Sequence, residues 1–374
     1  MSVRNPWDGL ELFFERRYIS AFFNLPYRML SSCRVYGGLR DDLECACNHQ
    51  ICEPQGHMSS IPPEACAEPG AYLKTLTSGF GLPERTALLT TAANVQCAGE
   101  ALEEFNKQRV LAVVTAGVDG NAARAGDPAS YAESAGQIVA LAPGTINIML
   151  FLNTPLLPGA MLEGAMLAAE AKTSVLQELS VPSLYSSGLA TGTGTDGLIL
   201  AAPLQGVPLT NAGKHAKTGE MIGRAVRGAL FAALARQNSL LPSLRCNLFK
   251  LLWRFGLDEG ALFETASELL DTDTCKLLRS NLISIVTDPP ASAAAAALAH
   301  LGDQFAWGVI PENAYDDLLL DYAALLAVRA GGRVERQAVY RKDLSGLASA
   351  KPQKWNLARA AAAALVLGYS DKWN

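Results

Sequence analysis

The chain has 374 residues, enough for two domains with a sizeable core. Hydrophobic residues make up 49% and charged residues 18% of it, a balance that excludes a disordered chain. The formal net charge of −5 argues against a nucleic-acid-binding protein, which needs a basic face.

No apolar run reaches the roughly 18 residues that span a bilayer, and residues 1–18 lack a signal-peptide pattern. We therefore expect a cytoplasmic protein without a membrane span. In that compartment the eight cysteines are expected to be thiols or metal ligands, not disulfides.

The chain is predicted to have an α+β fold in three parts. Residues 1–27, dense in apolar side chains, are expected to form an N-terminal adaptor segment. Residues 28–238 are expected to form a layered α/β domain with a mixed sheet. Its predicted strands are 86–91, 110–114 and 146–152, its predicted helices 72–80, 155–179 and 220–236, with a polar helix or turn at 100–108 and a loop at 45–66.

Residues 239–374 are predicted to form an all-α domain. Candidate helices separated by Pro, Gly and Asp are 244–255, 260–270, 275–286, 292–305, 314–329 and 357–367. Asp258, Asp271 or Thr272, and Asn313 are plausible N-caps. No catalytic constellation is evident in this part, so we expect it to serve packing, partner binding or assembly into a homo-oligomer.

A glycine- and threonine-rich turn at residues 191–197 is the sequence feature most suggestive of a binding site. It reads Thr-Gly-Thr-Gly-Thr-Asp-Gly and precedes an apolar run, and residues 183–190 and 198–202 on either side are predicted to pair as strands. Glycine permits close approach, and exposed backbone N–H groups can cradle a polar ligand. An ordinary turn is the alternative. Similar turns at 115–117, 144–148 and 211–223 favour one composite site built from several loops.

A cysteine-rich stretch provides a separate candidate. Cys45, Cys47, His49, Cys52 and His57 could ligate zinc or an iron–sulfur centre. The spacing does not repeat the Cys-x-x-Cys pair that marks a strong metal motif. We therefore expect no metal site and keep this cluster as the alternative.

Taken together in one order, these turns resemble the adenosylcobinamide amidohydrolase family. The resemblance covers about residues 28–223 and rests on segments 28–38, 91–95, 115–126, 144–153, 170–172, 191–196 and 212–223. It implies an enzyme that cleaves the amide between the corrin propionyl arm and aminopropanol, giving adenosylcobyric acid for cobalamin salvage. The implied partner is a small corrinoid substrate, and no cofactor requirement is evident.

The sequence departs from the family pattern at two positions. Asn94 stands where an acidic residue is expected, and Ala216 where a threonine is expected after the histidine. These departures motivate an alternative, a non-catalytic corrinoid-binding protein with a helical docking domain. A phosphate cradle of a transferase is a weaker alternative, because no Walker motif or Gly-x-Gly-x-x-Gly follows a strand.

Amide hydrolysis needs an activated water or nucleophile, an oxyanion donor and an acid for the leaving amine. Candidate catalytic residues are Asp196, His215 and Glu170; a turn aspartate and a surface histidine are the alternatives for the first two. Glu170 and Lys172 are two positions apart on a helix and are not expected to pair. Candidate substrate-binding residues, suited to an amide-rich ligand, are Thr115, Gly117, Asn121, Gly144, Thr145, Asn147, Lys172, Thr193, Gly194, Thr195 and Lys214.

Overall fold

The computed structural model describes residues 2–52, 68–129 and 144–372. The chain divides into two compact units, Met1–Leu241 and Pro242–Asn374. The first unit contains mixed sheets and helices and the second is helical, so the predicted α+β class is confirmed.

The first unit contains the strands and three of the longer helices. Its strands are β1 (Ser2–Trp7), β2 (Leu10–Phe14), β3 (Tyr18–Phe23), β4 (Tyr27–Ser31), β5 (Gly38–Arg40), β6 (Cys45–Gln50), β7 (Thr86–Thr91), β8 (Gly99–Phe105), β9 (Gln108–Ala116), β10 (Ala122–Ala123), β11 (Ile146–Leu152), β12 (Gly192–Thr193) and β13 (Gly197–Pro203). Its α-helices among the described residues are α1 (Pro69–Phe80), α2 (Pro158–Glu178) and α3 (Lys217–Asn238).

These strands form two larger sheets and a small one. Sheet A has the order β1-β2-β3-β6-β7, and sheet B has the order β5-β4-β13-β11-β9-β8. Neighbours are antiparallel except for the parallel pairs β6–β7 and β11–β13, so both sheets are mixed. Residues 2–23 of the proposed adaptor segment form the first three strands of sheet A.

Sheet B lies in the middle of a layered arrangement. One of its faces packs on sheet A through residues such as Met149 and Phe151, which share a core with Leu12 and Ile19. The other face packs on α2 and α3 through residues such as Leu150. Because both faces are covered, β11 is buried along its whole length and reads as a continuous apolar run.

Three predictions for the first unit were wrong. Residues 45–50 form the buried strand β6 instead of a loop, because Cys45 and Cys47 act there as small apolar side chains. Residues 99–105 form the edge strand β8, whose charged side chains suit an exposed edge. Residues 183–190 do not pair with β13, which lies between β4 and β11.

The second unit has a core of leucine and alanine side chains. Its helices are α4 (Leu248–Leu252), α5 (Glu259–Leu269), α6 (Thr272–Ser280), α7 (Leu282–Val286), α8 (Pro289–Ala306), α9 (Glu312–Gly331), α10 (Gln337–Ala350) and α11 (Leu357–Lys372). Asp258 and Asp271 cap α5 and α6 as predicted. The cap at Asn313 is wrong, since α9 already begins at Glu312, and α10 was missed. Among the described residues, no helix has the length and apolarity needed to cross a membrane.

Candidate functional site

One edge of sheet B brings together segments that lie far apart in sequence. At this edge β11 and β13 begin and β9 ends, with Asn147 beside both Thr115 and Gly197 in the strand register. Backbone pairing therefore places three of the predicted turn regions next to one another. Gly117 joins them, because its N–H donates to the Thr145 carbonyl over 3.0 Å.

Asp196 anchors this edge through four donor groups. Its carboxylate accepts hydrogen bonds from the Thr193 N–H at 3.1 Å, the Thr193 hydroxyl at 2.5 Å and the Ile146 N–H at 3.2 Å. The Lys172 ammonium forms an ion pair with the same carboxylate, and both side chains are largely buried. Asp196 thus ties α2, β11 and the 191–197 turn together.

The glycines of the 191–197 turn leave room for these side chains. A Cβ at Gly192 would collide with the Asp196 carboxylate and lie 2.8 Å from Lys172 Nζ. A Cβ at Gly194 would lie 2.8 Å from Asn121 Nδ2. The space that glycine was expected to offer a ligand at Gly192 and Gly194 is therefore occupied by the protein's own polar groups.

Two threonine hydroxyls lie beside the Asp196–Lys172 pair. Thr195 Oγ1 donates to the Gly144 carbonyl at 2.9 Å and lies 2.6 Å from Thr145 Oγ1. Thr195 has one hydroxyl proton, which it donates in the hydrogen bond to the Gly144 carbonyl. Thr145 must therefore donate to Thr195 when both bonds are made. This arrangement fixes the direction of the hydroxyl chain and leaves lone pairs on Thr145.

Asn121 extends this hydroxyl cluster. Its Nδ2 donates to the Gly144 carbonyl at 3.2 Å, and its Oδ1 accepts the Tyr185 hydroxyl at 2.8 Å. Gly144 has φ +142°, and a Cβ there would lie 2.7 Å from the Asn121 Cβ. Only glycine satisfies both the backbone angle and the space at this position.

A buried amide supports the edge from the interior. Asn48 on β6 donates from Nδ2 to Thr115 Oγ1 and accepts from Asn147 Nδ2, each at 2.8 Å. Asn147 Nδ2 also donates to the Thr90 carbonyl at 2.9 Å. All three linked side chains are about 1% exposed. Sequence reasoning missed Asn48, because it lies within residues 45–66, which the sequence predicts to be a loop.

Glu170, Lys214 and His215 belong to a different group of contacts. Lys214 pairs with Glu170 at 2.6 Å, and both side chains are exposed. Helix positions two apart point in nearly opposite directions, so Glu170 and Lys172 leave different sides of α2. His215 is exposed, and its imidazole makes no hydrogen bond within residues 2–52, 68–129 and 144–372. The structure does not bring Glu170 or His215 into contact with Asp196.

The cysteine cluster has the properties of a buried structural face. Burial raises the pKa of Cys45 to about 12 and that of Cys47 well above its usual value, so both thiols stay protonated. Burial also lowers the pKa of His49 to about 4, and its Nδ1 lies 3.1 Å from the Arg17 carbonyl. No set of three His, Cys, Asp or Glu side chains suited to a metal occurs in the described part of the chain. His57 lies outside that part.

The fold places the chain in the class of layered α+β proteins in which polar side chains gather at the edge of a central mixed sheet. Residues 5–242 match the model of the adenosylcobinamide amidohydrolase (CbiZ) family, and the chain belongs to this family. Membership implies a hydrolase that acts on an amide bond.

One relative of this chain adds no function to the family assignment. The chain is 40% identical over 169 residues to an uncharacterized protein of Methanocaldococcus jannaschii. The match covers 42% of this chain and 66% of that protein.

Proposed function

We propose that this protein hydrolyses the aminopropanol amide of adenosylcobinamide, releasing adenosylcobyric acid and aminopropanol for cobalamin salvage in the cytoplasm. Family membership supports the reaction class. The observation that supports a site is the joining of the Asp196–Lys172 pair to the Thr145–Thr195 hydroxyl pair, from segments far apart in the chain.

The cluster suits the polar demands of this reaction. Water adds to the amide carbonyl, the carbonyl oxygen becomes negative, and the C–N bond breaks as the amine takes a proton. We assign the Lys172 ammonium to the carbonyl oxygen. The lone pairs left on Thr145 are assigned to the attacking water, from which they accept a hydrogen bond. Asp196 already accepts from several donors. Its proposed role is therefore to hold Lys172 and the turn in place.

Glu170 and His215 have a separate proposed role. Both are exposed: Glu170 pairs with Lys214, and His215 follows Lys214 in the chain. We propose that His215, together with Glu170 and Lys214, holds amides of the corrin rim rather than the scissile amide. No resident cofactor is proposed.

One incubation tests the function directly. The protein is mixed with adenosylcobinamide, and adenosylcobyric acid and aminopropanol are followed by chromatography and mass spectrometry. Lys172→Met and Asp196→Asn are each expected to lower turnover by about 10²-fold or more. Lys217→Met removes a lysine of an exposed ion pair on α3 and serves as the matched control.

The site assignment and the function fail separately in this experiment. Full turnover by both Lys172→Met and Asp196→Asn would refute the site while leaving the reaction in place. Unchanged cobinamide binding by His215→Ala would remove only the proposed contact of His215 with the corrin rim. Tight corrinoid binding without any product would favour the alternative, a non-catalytic corrinoid-binding protein whose helical unit serves docking.

A further inference from the structure

A short loop beside the candidate site carries two exposed apolar side chains. Leu184 is 41% exposed and Tyr185 is 37% exposed. Single exposed apolar residues are common on protein surfaces and need no explanation. This pair differs because the protein holds it in place and because it adjoins the site.

Hydrogen bonds at both ends fix the loop. The Ser183 N–H donates to the Gly188 carbonyl and the Leu184 N–H donates to the Ala122 carbonyl, each at 2.9 Å. The Ser183 hydroxyl donates to Asp127 Oδ2 at 2.5 Å and accepts from the Tyr185 N–H at 3.0 Å. The exposed side chains therefore project from a backbone with a defined position.

Tyr185 connects the loop to the hydroxyl cluster. Its hydroxyl donates to Asn121 Oδ1 at 2.8 Å, although Asn121 is only 4% exposed. Asn121 in turn donates to the Gly144 carbonyl, which also accepts from the Thr195 hydroxyl. The polar end of Tyr185 is thus turned toward the site, while the residue as a whole stays 37% exposed.

We propose that Tyr185, together with Leu184, forms the apolar contact for the edge of the corrin macrocycle while the amide arm lies at Thr145 and Thr195. The inference rests on the proposed function. A corrin rim carries methyl groups between its amide arms, and such groups pack well on an anchored aromatic ring and a leucine. The contact concerns the macrocycle and not the scissile bond. It therefore sets affinity for the substrate rather than the rate of bond cleavage.

Two substitutions at Tyr185 separate the ring from the hydroxyl. Equilibrium binding of cobinamide to the full-length protein is measured by the change in corrinoid absorbance, alongside turnover of adenosylcobinamide. Both variants lose the hydroxyl that donates to Asn121, and only Tyr185→Ala also loses the ring. Tyr185→Ala is therefore expected to bind cobinamide about tenfold more weakly than Tyr185→Phe, with the same kcat within about twofold. Leu184→Ala is expected to weaken binding by a smaller factor.

A control variant and the upper axial ligand of the corrinoid separate the possible explanations for a loss of binding. Leu102→Ala removes a comparably exposed leucine from the edge strand β8 and is expected to leave binding unchanged. The loss at Tyr185→Ala should be the same for the adenosyl and cyano forms of cobinamide. A loss confined to the adenosyl form would overturn the macrocycle contact and assign the ring to the adenosyl group.

Failure of the inference can be told from failure of the function. A wild type that turns over substrate, with Tyr185→Ala and Leu184→Ala binding normally, would refute the contact alone. A wild type that binds cobinamide without product would refute the hydrolase, while the binding comparison still decides the role of Tyr185. A wild type that neither binds nor cleaves cobinamide would overturn both.

Discussion

Replacing Gly192 by alanine is the most demanding test of the Asp196–Lys172 geometry. The added methyl group would collide with the Asp196 carboxylate and lie 2.8 Å from Lys172 Nζ, so one of the two must move. Overpacking of this kind costs about 1–3 kcal/mol, and the lost backbone freedom of the unfolded chain returns about 0.4–1 kcal/mol. We expect a net destabilisation of about 1–2 kcal/mol.

Turnover should fall by more than the loss of stability alone would cause, because a displacement of about 1 Å at a catalytic group can lower the rate by about 10²-fold. Urea unfolding and adenosylcobinamide turnover are measured on Gly192→Ala and on Gly223→Ala. Gly223 lies inside α3 with open space where its Cβ would be, so alanine there should stabilise the protein by about 0.5–1 kcal/mol. Wild-type stability and turnover in Gly192→Ala would refute the reasoning about this turn.

Three further predictions concern other parts of the first unit. Burial lowers the pKa of His49 to about 4, so as the pH falls the unfolded chain is protonated at this histidine before the folded protein is. The contribution of His49 to the free energy of unfolding should therefore be complete above pH 6.5 and should fall by up to about 3 kcal/mol toward pH 4. Unfolding curves of His49→Gln should lack that part of the pH dependence, and an unchanged slope would contradict it. Metal analysis after anaerobic purification should find neither zinc nor iron bound at Cys45 and Cys47, and full activity should survive chelation; a stoichiometric metal whose removal abolishes activity would reverse this. Ala216→Thr should stabilise α3 by about 0.5–2 kcal/mol in thermal unfolding, because Ala216 is an N-cap with no side-chain hydrogen bond; no gain would mean the cap cannot form.

Sequence patterns predicted correctly the elements whose side chains are buried on every face. Strand β11 was predicted at its observed bounds, since a strand covered on both faces gives an uninterrupted apolar run. Strand β8 was missed, because an edge strand with three glutamates among its seven residues has the composition of a polar turn. The seam at residue 281 between α6 and α7 was also missed, because the apolar pattern continues across it.

The candidate site was accessible from sequence only as a set of separate turns. Nothing in the spacing of Lys172 and Asp196 shows that they pair, because the contact depends on how α2 lies across sheet B. Asn48 was hidden for a similar reason: its two partners, Thr115 and Asn147, both lie on strands of the other sheet. Local sequence predicts where the chain bends, but tertiary packing determines which bends meet.

The two departures from the family pattern fall on backbone capping positions and not on the polar cluster. Asn94 Oδ1 accepts from the Gln96 N–H at 2.9 Å, a bond that an aspartate in its place would also make. Ala216 only leaves the first turn of α3 without a side-chain cap. Since each change has a local consequence for a turn or a helix end, neither removes a group proposed to meet the scissile amide. These departures therefore support the non-catalytic alternative only weakly, and the decision between the two functions belongs to the turnover measurement.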